Sequence, residues 1–497
     1  MTLLHKGIML IIPFFLSALV LCGTAQEAKT QESTQMLSPL GTDESWFQMY
    51  NTPEREFYVS PNGTGDGSFD TPMNLTTAIN NSQPGDLYWL SEGIYSGFFV
   101  FQNDATKDSP IVYRAYPGQH VQVIGALKVE GAWTWIWGLD ISDPDQTVDT
   151  AGVEVLSAGV HIVNNYIHHH LGNNGLAMWN TGPGQITYGN VIQYNGYDTD
   201  NHPHNIYSQN DFYQYGYKYY VNNIVVDSAC GNCFNFHGYT EGGFITGFVL
   251  QDNIFANGRV LIGGYNVPAE HEHVLNNYFF NANMQFGYRR PTQTEFTGNK
   301  LYDSALLTEW FWGAGEVRYI QTAPNVYTYN TILAPSDKHV TFGTSAYTVN
   351  GRENGGPGIQ PDDIWNNNVY SVPFNADFNA GGVTTTATNL SEWQQLTADA
   401  GNAFDTYSIE VPLPTVPEVI LLPNAYDPTY THGAIYNWGN TATVSVDLSS
   451  IIAPGTSYII YDARDMYGTP LASGIYNDSL NIAMDGIEYM VMVITTP

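Results

Sequence analysis

Nine of the 13 histidines in this 497-residue chain fall between residues 160 and 275: His161, His168, His169, His170, His202, His204, His237, His271 and His273. Histidine titrates near neutrality and is a ready general base, and a tyrosine placed opposite can return the proton as an acid. The densest run, Asp198-Thr199-Asp200-Asn201-His202-Pro203-His204-Asn205-Ile206-Tyr207, leads into a strand that carries Tyr207 and Gln209. One repeat later stands Phe234-Asn235-Phe236-His237. With Ile206 and Phe234 inside, strand alternation puts Tyr207, Gln209, Asn235 and His237 outside. Tyr207, His237 and His204 are therefore the candidate acid–base set. Arg289, of the pair Arg289-Arg290, would stabilise a developing anion, and it is conspicuous in a chain with 15 Lys and Arg residues.

The same outer strip carries Trp179, Tyr265, Tyr288, Trp310 and Trp312, with Gln209, Asn235, Arg290 and Glu309 among them. Flat apolar sugar faces pack on aromatic rings while amides and carboxylates take the hydroxyls, so the strip suits a sugar chain; packing beneath loops is the plainer alternative. Hydrolysis would instead need two carboxylates facing one groove, for which Glu241, Glu270 and Glu309 are candidates, with Asp198, Asp200 and Asp211 behind them. Glu270-His271-Glu272-His273 with His202 and His204 offers zinc-ligand types, but neighbouring strand residues face opposite ways and no helical H-E-x-x-H is present. Calcium is possible at Asp198 and Asp200 or around Asp66.

These residues need a scaffold that repeats. An Asn-x-apolar unit recurs at Asn165, Asn190, Asn223, Asn253, Asn277, Asn299, Asn330 and Asn368, with spacings of 25, 33, 30, 24, 22, 31 and 38. An irregular repeat with a floor near 22 fits one coil of a solenoid plus loop insertions of variable length. In a parallel β-helix, coils stack about 4.8 Å apart, so equivalent asparagines can bond up the stack while the apolar residue two positions on fills the bore.

The chain carries 47 Asp and Glu against 15 Lys and Arg, a formal charge of −32. A nucleic-acid binder needs a concentrated basic footprint, so that class is set aside. Lys6, the apolar run Gly7–Cys22 and the small residues Gly23, Thr24 and Ala25 read as a secretory signal over residues 1–25, too short to span a membrane. Leu21 is a poor fit for a lipid-anchor signal at Cys22. A soluble secreted or periplasmic protein, acting as a monomer, is expected. Cys230 and Cys233 would form a small local disulfide or pack as two thiols.

The opening Phe57-Tyr58-Val59-Ser60-Pro61 with Gly65-Asp66-Gly67-Ser68, then Pro84-Gly85-Asp86 and Glu92-Gly93-Ile94-Tyr95, resembles the first coil of right-handed parallel β-helix proteins of the pectate-lyase-like superfamily. Leu390-Ser391-Glu392-Trp393-Gln394-Gln395-Leu396 is similar to the helices that close such solenoids. The resemblance implies an all-β fold and a polysaccharide partner, and leaves a lyase, a C5-epimerase, a hydrolase or a non-catalytic surface protein open. A lyase or epimerase removes the proton beside a uronate carboxylate, which the His, Tyr and Arg set suits. The expected organisation is a flexible lead-in over 26–55, a solenoid over 56–407, a proline-rich linker over 408–417 and a small antiparallel, sandwich-like β-domain over 418–497.

Overall fold

The computed structural model describes residues 52–196, 204–230, 233–239, 245–264, 269–287, 291–310, 324–334, 340–342, 363–380, 383–399 and 403–496. The expected export signal and nearly all of the lead-in lie outside these. The chain winds as a parallel solenoid with three faces. The first face is a 12-stranded sheet with one strand per coil, from Arg55–Val59 to Ile364–Asn366. The second face runs through Asp140–Ser142, Tyr166–His168, Val191–Gln193, Ile224–Val226 and their successors. The third runs through Val153–Val155, Leu176–Met178, Ile206–Ser208, Phe234–Gly238, Arg259–Ile262 and Met284–Gly287. In an early coil the single strand Val121–Val129 serves both the second and the third face.

The recurring asparagines hold the corner between the first and second faces. Each of the seven links from Asn165 to Asn368 is an Nδ2–H donated to the next coil's Oδ1, at 2.9 to 3.2 Å, and all eight side chains are buried. The same Oδ1 accepts the preceding coil's backbone N–H. The residue before each asparagine has positive φ: Asn164, Gly189, Asn222, Asp252, Asn276, Gly298, Tyr329 and Asn367. Asn, Asp and Gly tolerate this left-handed turn, which is why seven of the eight are of those types. Two residues after each asparagine, Ile167, Ile192, Val225, Phe255, Phe279, Leu301, Ile332 and Tyr370 fill the bore. The ladder ends on buried Asp405, which accepts from Asn368 Nδ2 at 3.0 Å and from Trp393 Nε1 at 2.9 Å, beneath the closing helix Leu390–Asp399. At the other end the helix Leu75–Asn81, capped by the Asn74 side chain, packs Leu75, Ala78 and Ile79 against the core.

Two expectations about organisation need correction. Residues 408–417 are not simply a linker: Ile409–Pro412 pairs in parallel with Val369–Val372 as the final strand of the second face. The C-terminal module does not stand apart either. Its five-stranded antiparallel sheet and a two-stranded sheet enclose their own core. The outer side of the larger sheet packs on the second face, where Ile420, Ala434, Tyr436, Met466, Val491 and Val493 meet Tyr166, Val191, Ile224, Ile254, Phe280 and Tyr302. Polar bonds frame the seam: Arg464 Nε to Asp227 Oδ2 at 2.8 Å, His432 Nδ1 to the Asn222 carbonyl at 2.8 Å, and Glu418 to Lys300 and Tyr302. Trp438 packs within this seam, 4.9 Å from the Tyr302 ring and 4.3 Å from Tyr436.

Candidate functional site

The outward positions of the third face align across coils as Lys128, Glu154, Ala177, Tyr207, His237, Leu261, Gln285 and Leu307. Tyr207 and His237 are direct register partners, as expected. The residue expected to bring His237 there is different. Ile206 pairs with Phe236, and Phe236 fills the bore, whereas Phe234 pairs with Arg259 beside a register shift. That shift leaves Asn235 as the extra residue of a bulge. Asn235 is therefore not an outward sugar contact. It is fully buried, accepts from Asn205 Nδ2 at 3.0 Å and donates to the Ala256 carbonyl at 2.9 Å, in a second short ladder of Asn195, Asn205 and Asn235.

The bulge turns Phe234 outward, where it stacks on His237. The two rings lie 4.5 Å apart and 6° from parallel, Tyr239 covers the other side of His237 at 5.0 Å, and the Arg259 guanidinium lies 4.4 Å over Phe234. His204 meets His237 edge to face at 4.1 Å. The Phe234 N–H donates to His204 Nδ1 at 3.1 Å, so that nitrogen bears a lone pair and buried His204 is the neutral Nε2–H tautomer. Tyr207 lies 6.0 Å from His237 by ring centres. Its hydroxyl oxygen accepts from Gln209 Nε2 at 2.9 Å, and half-buried Trp179 flanks it at 5.4 Å. Thus Tyr207, His237, His204, Gln209 and Trp179 come together.

Lys218 is a neighbour that the sequence reading missed. Its buried ammonium donates to the carbonyls of Trp179 at 2.9 Å and Gln209 at 2.6 Å, and to that of Met178 at 3.3 Å. It ties the ends of the two strands that carry Trp179 and Tyr207, although burial pushes its pKa well down. A lysine opening an otherwise apolar strand, Lys218-Tyr219-Tyr220-Val221, was the available signal.

Tyr265, Tyr288, Arg289 and Arg290 lie outside the described residues, as do His202, Asp198, Asp200, Glu241 and Trp312. Glu309 and Trp310 end the strand Leu306–Trp310 of the third face. The remaining candidates for other chemistry have structural partners. Asp211 caps the short helix Phe212–Tyr215 through the Tyr213 N–H, and Glu270 accepts the Tyr213 hydroxyl at 3.0 Å. Along Glu270-His271-Glu272-His273, His271 stacks on Phe212, Glu272 is buried and accepts the Phe248 N–H, and His273 bonds Tyr217 and Glu295. Among the described residues no three His, Cys, Asp or Glu side chains converge on a metal position. Asp66 spends its Oδ1 on the Thr71 hydroxyl and the Ser68 N–H, which hold its pKa at about 2. Other described histidines serve packing and the module seam. His161 stacks on Trp135, His170 is buried, and His120 and His168 each bond one oxygen of Asp140. Cys230 and Cys233 are joined as a disulfide.

The winding defines a parallel β-solenoid with an all-β C-terminal module. No family model matches the chain. Pectate lyase L of Dickeya chrysanthemi is 26% identical over 170 residues, which is 29% of this chain and 38% of that protein, so the match spans well under half of that relative. Among solved structures, pectate lyase Pel9A is similar over 58% of this chain and 78% of its own, at 16% identity and a TM-score of 0.37. A mannuronic-acid-specific family 6 lyase from human gut microbiota covers 64% of this chain and 80% of its own, at 14% identity and a TM-score of 0.36. The XylC–xylose complex covers 88% and 100%, at 9% and 0.41. Among the described residues no helix is long and apolar enough to cross a membrane.

Proposed function

We propose that the chain is an exported polysaccharide lyase, with C5-epimerisation as the variant outcome, acting on uronate residues laid along the third face. One observation carries this reading: Tyr207 and His237 are neighbours across one coil step, with neutral His204 against the His237 ring. His237 takes the proton from the carbon beside the uronate carboxylate. Tyr207, its oxygen fixed by Gln209, gives its hydroxyl proton to the departing glycosidic oxygen. Electrons from the broken C–H bond form the new C=C bond as the C–O bond breaks. In epimerisation the C–O bond would stay intact and an acid on the opposite face, the Tyr207 hydroxyl, would deliver a different proton to the same carbon.

His204 acts behind His237 as a neutral edge that fixes the ring, and the Phe234 and Tyr239 planes limit its rotation. The developing negative charge needs a cation. Arg259 brings one to this end of the stack, and Arg289 is assigned the same task on its place in the repeat. The test is incubation with a panel of plant and algal polysaccharides while alkene absorbance and reducing ends are both followed. Alkene with new ends supports the lyase. Ends without alkene would favour a hydrolase, and binding without either, with no C5 inversion by NMR, a binding protein.

A further inference from the structure

The two ends of the strip carry different side chains. On the C-terminal side of Tyr207 stand His237 and the Arg259 guanidinium. On the N-terminal side the outward positions are Ala177, Glu154 and Lys128. Trp179 Nε1–H donates to Glu154 Oε1 at 3.0 Å, which fixes the indole beside the Tyr207 ring. Lys128 is already engaged: its ammonium is 2.9 Å from Glu130 and 4.0 Å from Glu154. This end therefore offers an aromatic platform rimmed by two carboxylates and one lysine that they neutralise.

A neutral pyranose suits such a place. Its apolar face can stack on Trp179 while its hydroxyls donate to Glu154 and Glu130. A uronate residue there would bring a third carboxylate against Glu154, whose neighbouring Lys128 ammonium is already held by Glu130, and like-charge juxtaposition is costly. We infer that the Trp179–Glu154 end of the strip binds a neutral sugar, so that the substrate is a mixed polymer in which neutral and uronic residues are neighbours. This rests on the reading of the third face as the polysaccharide site, and it deepens that reading by naming the substrate class.

The test uses binding, so that it does not depend on cleavage. Calorimetry on the whole mature protein compares tetrasaccharides of alternating rhamnose and galacturonate with tetragalacturonate and with tetramannuronate. The alternating chain should bind about tenfold tighter or more, a difference of roughly 1.4 kcal/mol. Glu154→Lys should erase most of that preference by admitting a carboxylate, and Trp179→Ala should weaken the alternating chain more than the homopolymers. Circular dichroism and melting of each variant confirm the fold. Equal or tighter binding of a homopolyuronate, no binding of any chain, or an unchanged preference in Glu154→Lys overturns the inference. Preferential binding of the alternating chain without alkene formation would sink the lyase reading and leave the neutral subsite standing.

Discussion

On the second face, the outward positions one and three residues after the ladder asparagines include Tyr166, Val191, Ile224, Val226, Ile254, Ala256, Phe280 and Tyr302, all buried under the C-terminal module. On the third face the outward column reads Lys128, Glu154, Ala177, Tyr207, His237, Leu261, Gln285 and Leu307, polar and apolar residues mixed. Both faces come from one winding with one bore. The difference shows how a solenoid divides labour. Predominantly apolar outer positions on the second face recruit a cover, whereas the third face mixes polar and apolar outer positions and, among the described residues, carries no such module. The imidazoles divide the same way, with His432 at the covered seam and His204 and His237 on the strip.

The largest test of this contrast is removal of the cover. Truncation after Pro414 would expose the second-face apolar stripe and delete its partners. At roughly 1.5–3 kcal/mol for each large apolar side chain, the loss is on the order of 10 kcal/mol, comparable with the whole stability of a domain. The truncated chain is expected to aggregate or melt far below the full chain, as measured by light scattering and calorimetry. A soluble monomer with the full chain's melting point would show that the cover is dispensable.

Much of this scaffold is legible in the sequence. The ladder was, because identical side chains must recur to bond up a stack, and the left-handed residues before them are mostly Asn, Asp or Gly for a stated steric reason. The cover was less so, although Ile224-Val225-Val226, Ile254-Phe255-Ala256 and Tyr278-Phe279-Phe280 are uninterrupted apolar runs, the mark of a strand buried on both sides. The pairing of Tyr207 with His237 was legible from alternation. The bulge at Asn235 was not, because a one-residue insertion leaves the local pattern Phe-Asn-Phe-His readable in two registers. The charged neighbours Glu154, Lys218 and Arg259 come from other coils, and only the fold brings them near.

Acid tests the buried histidines next. Burial depresses the pKa of His161 to about 3, and of His170 and His432 to about 4. The unfolded chain accepts these protons near pH ~6.5, whereas the folded chain refuses them until far lower. Their contribution to stability is therefore fully present above about pH 6.5 and lost as pH falls toward 4. Three such groups give a slope of up to about 4 kcal/mol per pH unit. His432→Gln should make the slope shallower by about one proton, read from urea unfolding at several pH values. An unchanged slope would remove His432 from the acid response.

On the third face the effects should be chemical. His237→Ala or Tyr207→Phe should lower turnover by roughly 100-fold or more, about 2.7 kcal/mol of barrier, with Tyr207→Phe leaving unfolding unchanged within about 1 kcal/mol. Full activity in both variants would move the chemistry off this pair of coils. A large stability loss would instead make the Phe234, His237 and Tyr239 stack a packing feature.

The smallest effect concerns what fastens the cover. Arg464 bonds Asp227 across the seam and lies near Asp462 at 3.7 Å, with about 29% of its side chain exposed. Its backbone carbonyl separately accepts from the Tyr166 hydroxyl at 2.8 Å and from Gln193 Nε2 at 2.7 Å. Arg464→Ala therefore removes the ion pair and leaves those two bonds in place. A partly exposed pair contributes about 1 kcal/mol or less and is screened by salt. The variant should lose about that much in low-salt urea unfolding, and the deficit should shrink in molar salt. A deficit of several kcal/mol that salt does not reduce would mean that charge, and not the apolar stripe, holds the module on the second face.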